Sequence, residues 1–242
     1  MKNILPTLII GLTVLFSAIY LGNAYTYKFK KNQTVTVTGS AFFDFDSDLI
    51  VWNGQFSRKN MQIKDAYAEL KKDEADIRTY LTGKGIKESD IVFSSVSTNK
   101  DVEYVYDDNG ESRSIFTGYT LSQNIKIESK DLLTVEKISR EITELLDKGI
   151  MLNSFEPQYY YTQLDELKID LLARAAKDGE ERAKTILENS GASIGTLQKA
   201  SMGIFQFTGR NSNEDYSWGG AFNTSSKKKT ASVTLKMDFS IR

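Results

Sequence analysis

The chain has 242 residues, 40% of them hydrophobic and 26% charged, with a formal net charge of −1. This is the composition of a folded globular protein of one or two domains, and the overall charge gives no pointer to nucleic acid or to an anionic membrane surface. Cysteine and histidine are both absent. That excludes disulfides, thiol chemistry, Cys/His zinc sites, Ser-His-Asp and Cys-His catalysis and a histidine pH switch, and leaves acid–base work to Asp, Glu, Lys and Tyr.

Residues 4–22, ILPTLIIGLTVLFSAIYLG, carry no charge. Residues 1–24 therefore read as a signal peptide or an N-terminal membrane anchor. Gly22-Asn23-Ala24 places small residues for a cut after Ala24, whereas the length of the run is close to that of a span. Either way the remainder is exported, to a periplasm or cell envelope. A Lys-rich spacer, 25–32, then leads to the domain at 33–242.

Within the domain, Val35 and Val37 alternate with threonines, which predicts a strand ended at Gly39, and LIVWNGQFS (49–57) predicts a second. Residues 61–82 have helical spacing, with Ile63, Tyr67, Leu70, Ile77 and Leu81 on one stripe and Gly83 and Gly85 as the stop. A strand is expected over 91–105, a hairpin turn at Asp107-Asp108-Asn109-Gly110, and a returning strand over 119–127. A second helix follows at 132–146 and a strand at 154–162. The longest helix covers 164–189, with Leu164, Leu167, Leu171, Ala175, Ala183, Ile186 and Leu187 on its apolar stripe and Gly179 inside that stripe, where another backbone can come close. Strands at 196–207 and 233–241 flank a polar stretch, 209–230, which is a functional loop or a floppy connection. The sum is an α+β fold, a largely antiparallel sheet or sheets packed against three amphipathic helices. LTGKGIKESDI and LLDKGIMLNSF repeat one helix-end–Lys-Gly-Ile–strand pattern, either as a duplicated unit or as one answer to a shared local problem.

Three places could carry chemistry or contacts. In FFDFDSDL (42–49), Asp44, Asp46 and Asp48 alternate, but a calcium loop starting at Asp44 would need Gly at position 6 and Glu at 12, where Leu49 and Gln55 stand. A solvated sheet edge or turn is the simpler reading. Tyr159, Tyr160 and Tyr161 form a candidate ligand or partner face, with Tyr104 and Tyr106 as further aromatics. Tyr216, Trp218 and Phe222 lie in the polar loop as a candidate contact patch. Neither a Walker nor a Rossmann phosphate loop is present, and the three lysines 227–229 are too few for nucleic acid.

An apolar N-terminus leading to VTVTGSA, a helix ending GKGIKESDI, then FTGYTLSQNIKI, DLLTVEKISREITELLDKGI, DELKIDLLARAAKDGEERAKTILENSGASIG and a final VTLKMDFSI follow one another. Their order resembles the SIMPL-domain, or DUF541, family over about residues 33–242. Its best parts are Gly85-Ile86 with Asp90-Ile91, then Thr117-Gly118-Tyr119, and the helix holding Ala173, Arg174, Ala175, Ala176 and Ala183. Where the family often has Pro-Asp between its first two strands, this chain has Ser47-Asp48. The resemblance implies an α+β fold, an envelope location, self-assembly, and in some members a link to oxidative stress tolerance; it supplies no catalytic residues. The expectation is a non-enzymatic envelope protein without cofactor or metal. It would act by self-association or by binding another envelope protein, with no nucleic acid and with membrane contact through residues 4–22. The alternatives are a small-ligand binder using the Tyr-rich face, or a metal-assisted hydrolase using Asp and Glu.

Overall fold

The computed structural model of the chain describes residues 4–30, 33–106 and 111–242. The first element, α1 (Ile4–Lys30), is one continuous helix, and it runs on through most of the stretch read above as a spacer. Leu8–Tyr27 within it is long and apolar enough to cross a membrane, and its side chains are not buried.

The rest is β1 (Thr34–Asp46), β2 (Leu49–Asn60), α2 (Ile63–Gly83), β3 (Ile91–Phe93), β4 (Ser97–Tyr106), β5 (Ser112–Ser129), α3 (Leu132–Glu141) with a 3₁₀ continuation over Ile142–Lys148, β6 (Leu152–Ser154), β7 (Gln158–Tyr160), α4 (Leu164–Asn189), β8 (Ile194–Met202), β9 (Gln206–Gly209) and β10 (Lys228–Ile241). The strands form two antiparallel sheets. In the first, β10 is central, with β1 along one edge and β8 and β9 along the other. In the second, β5 and β2 are central, with β3 and β4 beside β5 and β6 and β7 beside β2. The fold is thus α+β with three helices in the domain, as the periodicities predict. The chain passes from one sheet to the other at Ser47–Asp48.

Each sheet is apolar on the face its helices cover. On β1, Val37, Ala41 and Phe45 point inward, and α4 lays Leu167, Leu171, Ala175, Gly179, Ala183 and Leu187 over them. Gly179 plays the part predicted for it. A Cβ on its partner Gly39 would lie 2.1 Å from the Ala175 carbonyl oxygen, so the strand and helix backbones meet at a glycine pair. The second sheet holds Ile50, Trp52, Phe56, Ile125 and Ile127 under α2 and α3, all essentially without exposure.

The buried stripe of α2 is Ala66, Leu70, Asp73, Ile77 and Leu81. Ile63 and Tyr67, expected on it, are 47% exposed. Asp73 holds its inward place because Arg58 on β2 meets it with two bonds, Nε–Oδ2 at 2.5 Å and Nη2–Oδ1 at 2.9 Å. The expected strands at 91–105, 154–162 and 196–207 each break in two, and β5 begins seven residues earlier than 119. On α4, Ile186 is 51% exposed and lies beside the predicted stripe. The turn 107–110 lies outside the described residues, but the strands on either side pair up to Tyr106–Ser112.

The Lys-Gly-Ile repeat is a shared helix ending. Gly85 and Gly149 adopt left-handed φ (97° and 73°), and Ile86 and Ile150 donate backwards to the Leu81 and Leu145 carbonyls, both at 3.1 Å. A third copy closes α4, with Gly191 at φ 79° and Ala192 N–H on the Leu187 carbonyl at 2.9 Å.

Candidate functional site

The three sequence motifs meet, in part, at the far end of β1. Asp44 and Asp46 sit on β1, while Asp48 lies past the strand in the crossover. The Asp44 and Asp48 carboxylates have separate jobs. Asp44 accepts from the Thr230 hydroxyl at 2.7 Å and pairs with Arg210 at 3.0 Å. Asp48 accepts from the Thr162 N–H at 2.7 Å and from its hydroxyl at 2.6 Å, tying the crossover to the start of α4. No group of three or more acidic residues among the described residues is placed to hold a metal ion.

The tyrosine run is the seam between the two sheets. Tyr159 leans on the second sheet's core, where burial and neighbouring Glu136 hold its hydroxyl pKa above the usual value. Tyr161 turns the other way and packs on Phe45, ring centroids 4.8 Å apart. Tyr160 bonds Gln158 through its hydroxyl and receives the Asp48 N–H on its carbonyl. Consecutive residues on an extended chain must diverge in this way. The void they share with Phe45, Phe207, Phe222 and Lys229 is about 10 Å³, room for about one water.

Lys229 closes this void from β10. Opposite Phe45 in the register, it is 3% exposed, and its ammonium donates to the Asn223 carbonyl at 2.5 Å and to the Asn223 side-chain oxygen at 3.2 Å. Burial pushes its pKa down to about 8, against a weaker opposing pull from Glu214. Extending the β10 alternation back from Val233 puts position 229 on the inner face, so the signal was available in the sequence.

The segment 210–227 is a built loop. Asn223 receives the Ser226 N–H at 2.8 Å and donates to Ser225 and to Glu214, whose other oxygen takes the Gly209 N–H at 2.9 Å. Gln206 pins the turn Ser217–Gly220: its amide nitrogen donates to the Ser217 carbonyl, and its oxygen accepts from the Ser217 and Ala221 N–H groups. Phe222 folds back on Phe207, 5.9 Å between ring centroids. Tyr216 and Trp218 stay outside, 63% and 97% exposed. Phe222 thus goes with the tyrosine seam, and Tyr216 and Trp218 with a separate groove of about 390 Å³ on the face of the first sheet opposite α4. Periodicity does not reveal Gln206, Glu214 or Asn223, because each acts through side-chain hydrogen bonds within the loop and not by facing a core.

A second exposed feature is the β4–β5 ribbon. β5 pairs β2 only from Tyr119 onward, so Val102–Tyr106 and Ser112–Gly118 pair with each other alone. Val102, Tyr104, Tyr106 and Phe116 lie on one face of this arm, and Val105 and Ile115 on the other.

A domain of two antiparallel sheets, one covered by a single helix and the other by two, and an apolar N-terminal helix agree with the family expectation. The SIMPL family, described as a protein of unknown function (DUF541), matches residues 35–239. The chain belongs to that family. No curated protein matches it.

Proposed function

We propose that the protein is a non-enzymatic envelope protein, carried to or held at a membrane by its N-terminal helix, that works by binding a second copy of itself through the β4–β5 arm. The exposure of that arm is the observation behind this reading. Val102, Tyr104, Val105, Tyr106 and Ile115 are each at least 40% exposed, on a two-stranded ribbon of a kind that is marginally stable alone in water. These side chains lie on both faces of the arm. A two-fold contact through the free β4 edges is disfavoured, because residues opposite one another must share a face. Centring such a contact on Asp101, Val102 or Glu103 sets Asp101 against Asp101, Asp101 against Glu103, or Glu103 against Glu103. The contact therefore uses the aromatic face, with Tyr104 and Tyr106 as anchors.

Light scattering on the full chain in detergent tests this. The wild type should run as a defined multiple of the monomer, and Tyr104→Ser combined with Tyr106→Ser should return it to monomer with its melting temperature unchanged. A monomeric wild type would remove the reading. A protective role in oxidative stress, which the family resemblance implies, predicts faster killing by peroxide in cells lacking the gene, and equal survival would dismiss it.

A further inference from the structure

The groove under Trp218 is separate from the arm. Its floor is the cross-strand pair Phe42–Ser232 together with Thr234 on β10, and its walls are Ile204, Tyr216 and Trp218. None of the groove's lining side chains is charged, in a chain where 26% of residues are. The polar groups that reach it are hydroxyls, which can both donate and accept, and the Gln206 amide, whose ends are bonded to the turn. At about 390 Å³ it falls at the small end of the range of ligand sites, roughly 300–1,000 Å³.

Trp218 is held ready rather than left loose. The turn that carries it is fixed from both sides by the Gln206 amide, and by the Gly220 N–H on the Ser217 carbonyl at 3.0 Å. An indole 97% exposed on a pinned turn gives up little freedom when something stacks on it. A sugar ring offers an apolar C–H face for such an indole, and around its rim neutral hydroxyls that exchange hydrogen bonds with Ser and Thr. A peptide partner would bring charged side chains and termini, which this lining does not answer. We infer that the groove binds a neutral oligosaccharide, with Trp218 stacked on one ring and the Ser232–Thr234 strand facing the hydroxyl rim.

The chain provides its own reporter. It has two tryptophans, Trp52 with no exposure and Trp218 almost fully exposed. The full chain, in a zwitterionic detergent without sugar headgroups, is titrated with tetramers of β-1,4-linked glucose and of β-1,4-linked N-acetylglucosamine. The expected result is a saturable blue shift of emission at up to millimolar sugar. Trp218→Ala should abolish the shift while keeping the Trp52 emission and the melting temperature. Ile204→Glu, a charge placed at a half-exposed wall, should weaken binding by roughly tenfold, the loss expected for one spoiled contact. A flat titration with both sugars overturns the inference, as does a shift that survives Trp218→Ala. A blue shift that follows protein concentration without sugar would make Trp218 a protein–protein contact and overturn it too. Because Tyr104 and Tyr106 lie outside the groove, loss of assembly in their variants leaves this titration unaffected.

Discussion

The second sheet carries two helices on its inner face and the first carries one. Their cores are built accordingly. Under α2 and α3 the packing is one continuous cluster of large side chains, with Trp52, Phe56, Leu70, Leu81, Ile125 and Ile138 at its centre. Under α4 the core divides into two smaller clusters, and the residues between strand and helix shrink to Ala41, Ala175, Ala183 and Ala231 around the Gly39–Gly179 contact. One half is held by bulk and the other by close approach. The first kind of core is sensitive to losing atoms, the second to gaining them.

That contrast can be broken from either side, with melting of the full chain in detergent as the readout. Phe56→Ala should cost the most, about 3–5 kcal/mol, since the ring is 1% exposed and packs edge-on to Phe93. Gly39→Ala adds a single carbon and should still cost roughly 3 kcal/mol, because the contact at 2.1 Å is with backbone and cannot turn aside. Gly83→Ala, where nothing lies within 4 Å, should be neutral or slightly stabilising. If Gly39→Ala were as mild as Gly83→Ala, the close-approach account of α4 would fail.

Lys229 sharpens the comparison at the seam. Its folded pKa, about 8, lies below the usual 10.5, so between these values the unfolded chain holds a proton that the folded chain has released. Stability should therefore rise with pH over that window, by roughly 3 kcal/mol in all if the shift is expressed in full. Subtracting the curve of Lys229→Met should isolate this rise; parallel curves from pH 8 to 10.5 would show that Lys229 is not buried as a cation. A smaller loss than these belongs to the second half: Asp131→Ala removes the cap on the Thr134 N–H of α3 and should cost about 1 kcal/mol.

Where the chemistry is local, the sequence was readable. The span of α4 follows from its 3.6-residue period and its Ser-Gly stop, and the Lys-Gly-Ile repeats mark helix ends because a left-handed residue there favours glycine. The α2 stripe misled because an apolar count passes over Asp73, whose inward position depends on Arg58 fifteen residues earlier in the chain. The β4 half of the arm was expected, but the returning strand before Tyr119 was missed, for a related reason. Ser112–Ile115 is exposed at every position, so burial imposes no alternation on it, and its strand character comes from pairing with β4. Of the site, the aromatic residues were visible as types, but their division was not. Phe222 and Tyr161 turn inward onto Phe207 and Phe45 while Trp218 stays outside on a turn that Gln206 holds from 11 and 15 residues away.

β1 also sets a distance. Four steps of chain separate Lys30, the end of α1, from Thr34, a reach of at most about 14 Å. Thr34 pairs with Ser240, and Arg242 is bonded to Ser193, so the chain's last residue lies at the same end of the sheet. Thirteen residues of strand, about 40 Å, then run to Asp46, where the 210–227 loop and the crossover stand. A tag on Arg242 therefore sits at the end of the sheet joined to α1, and Trp218 toward the opposite end.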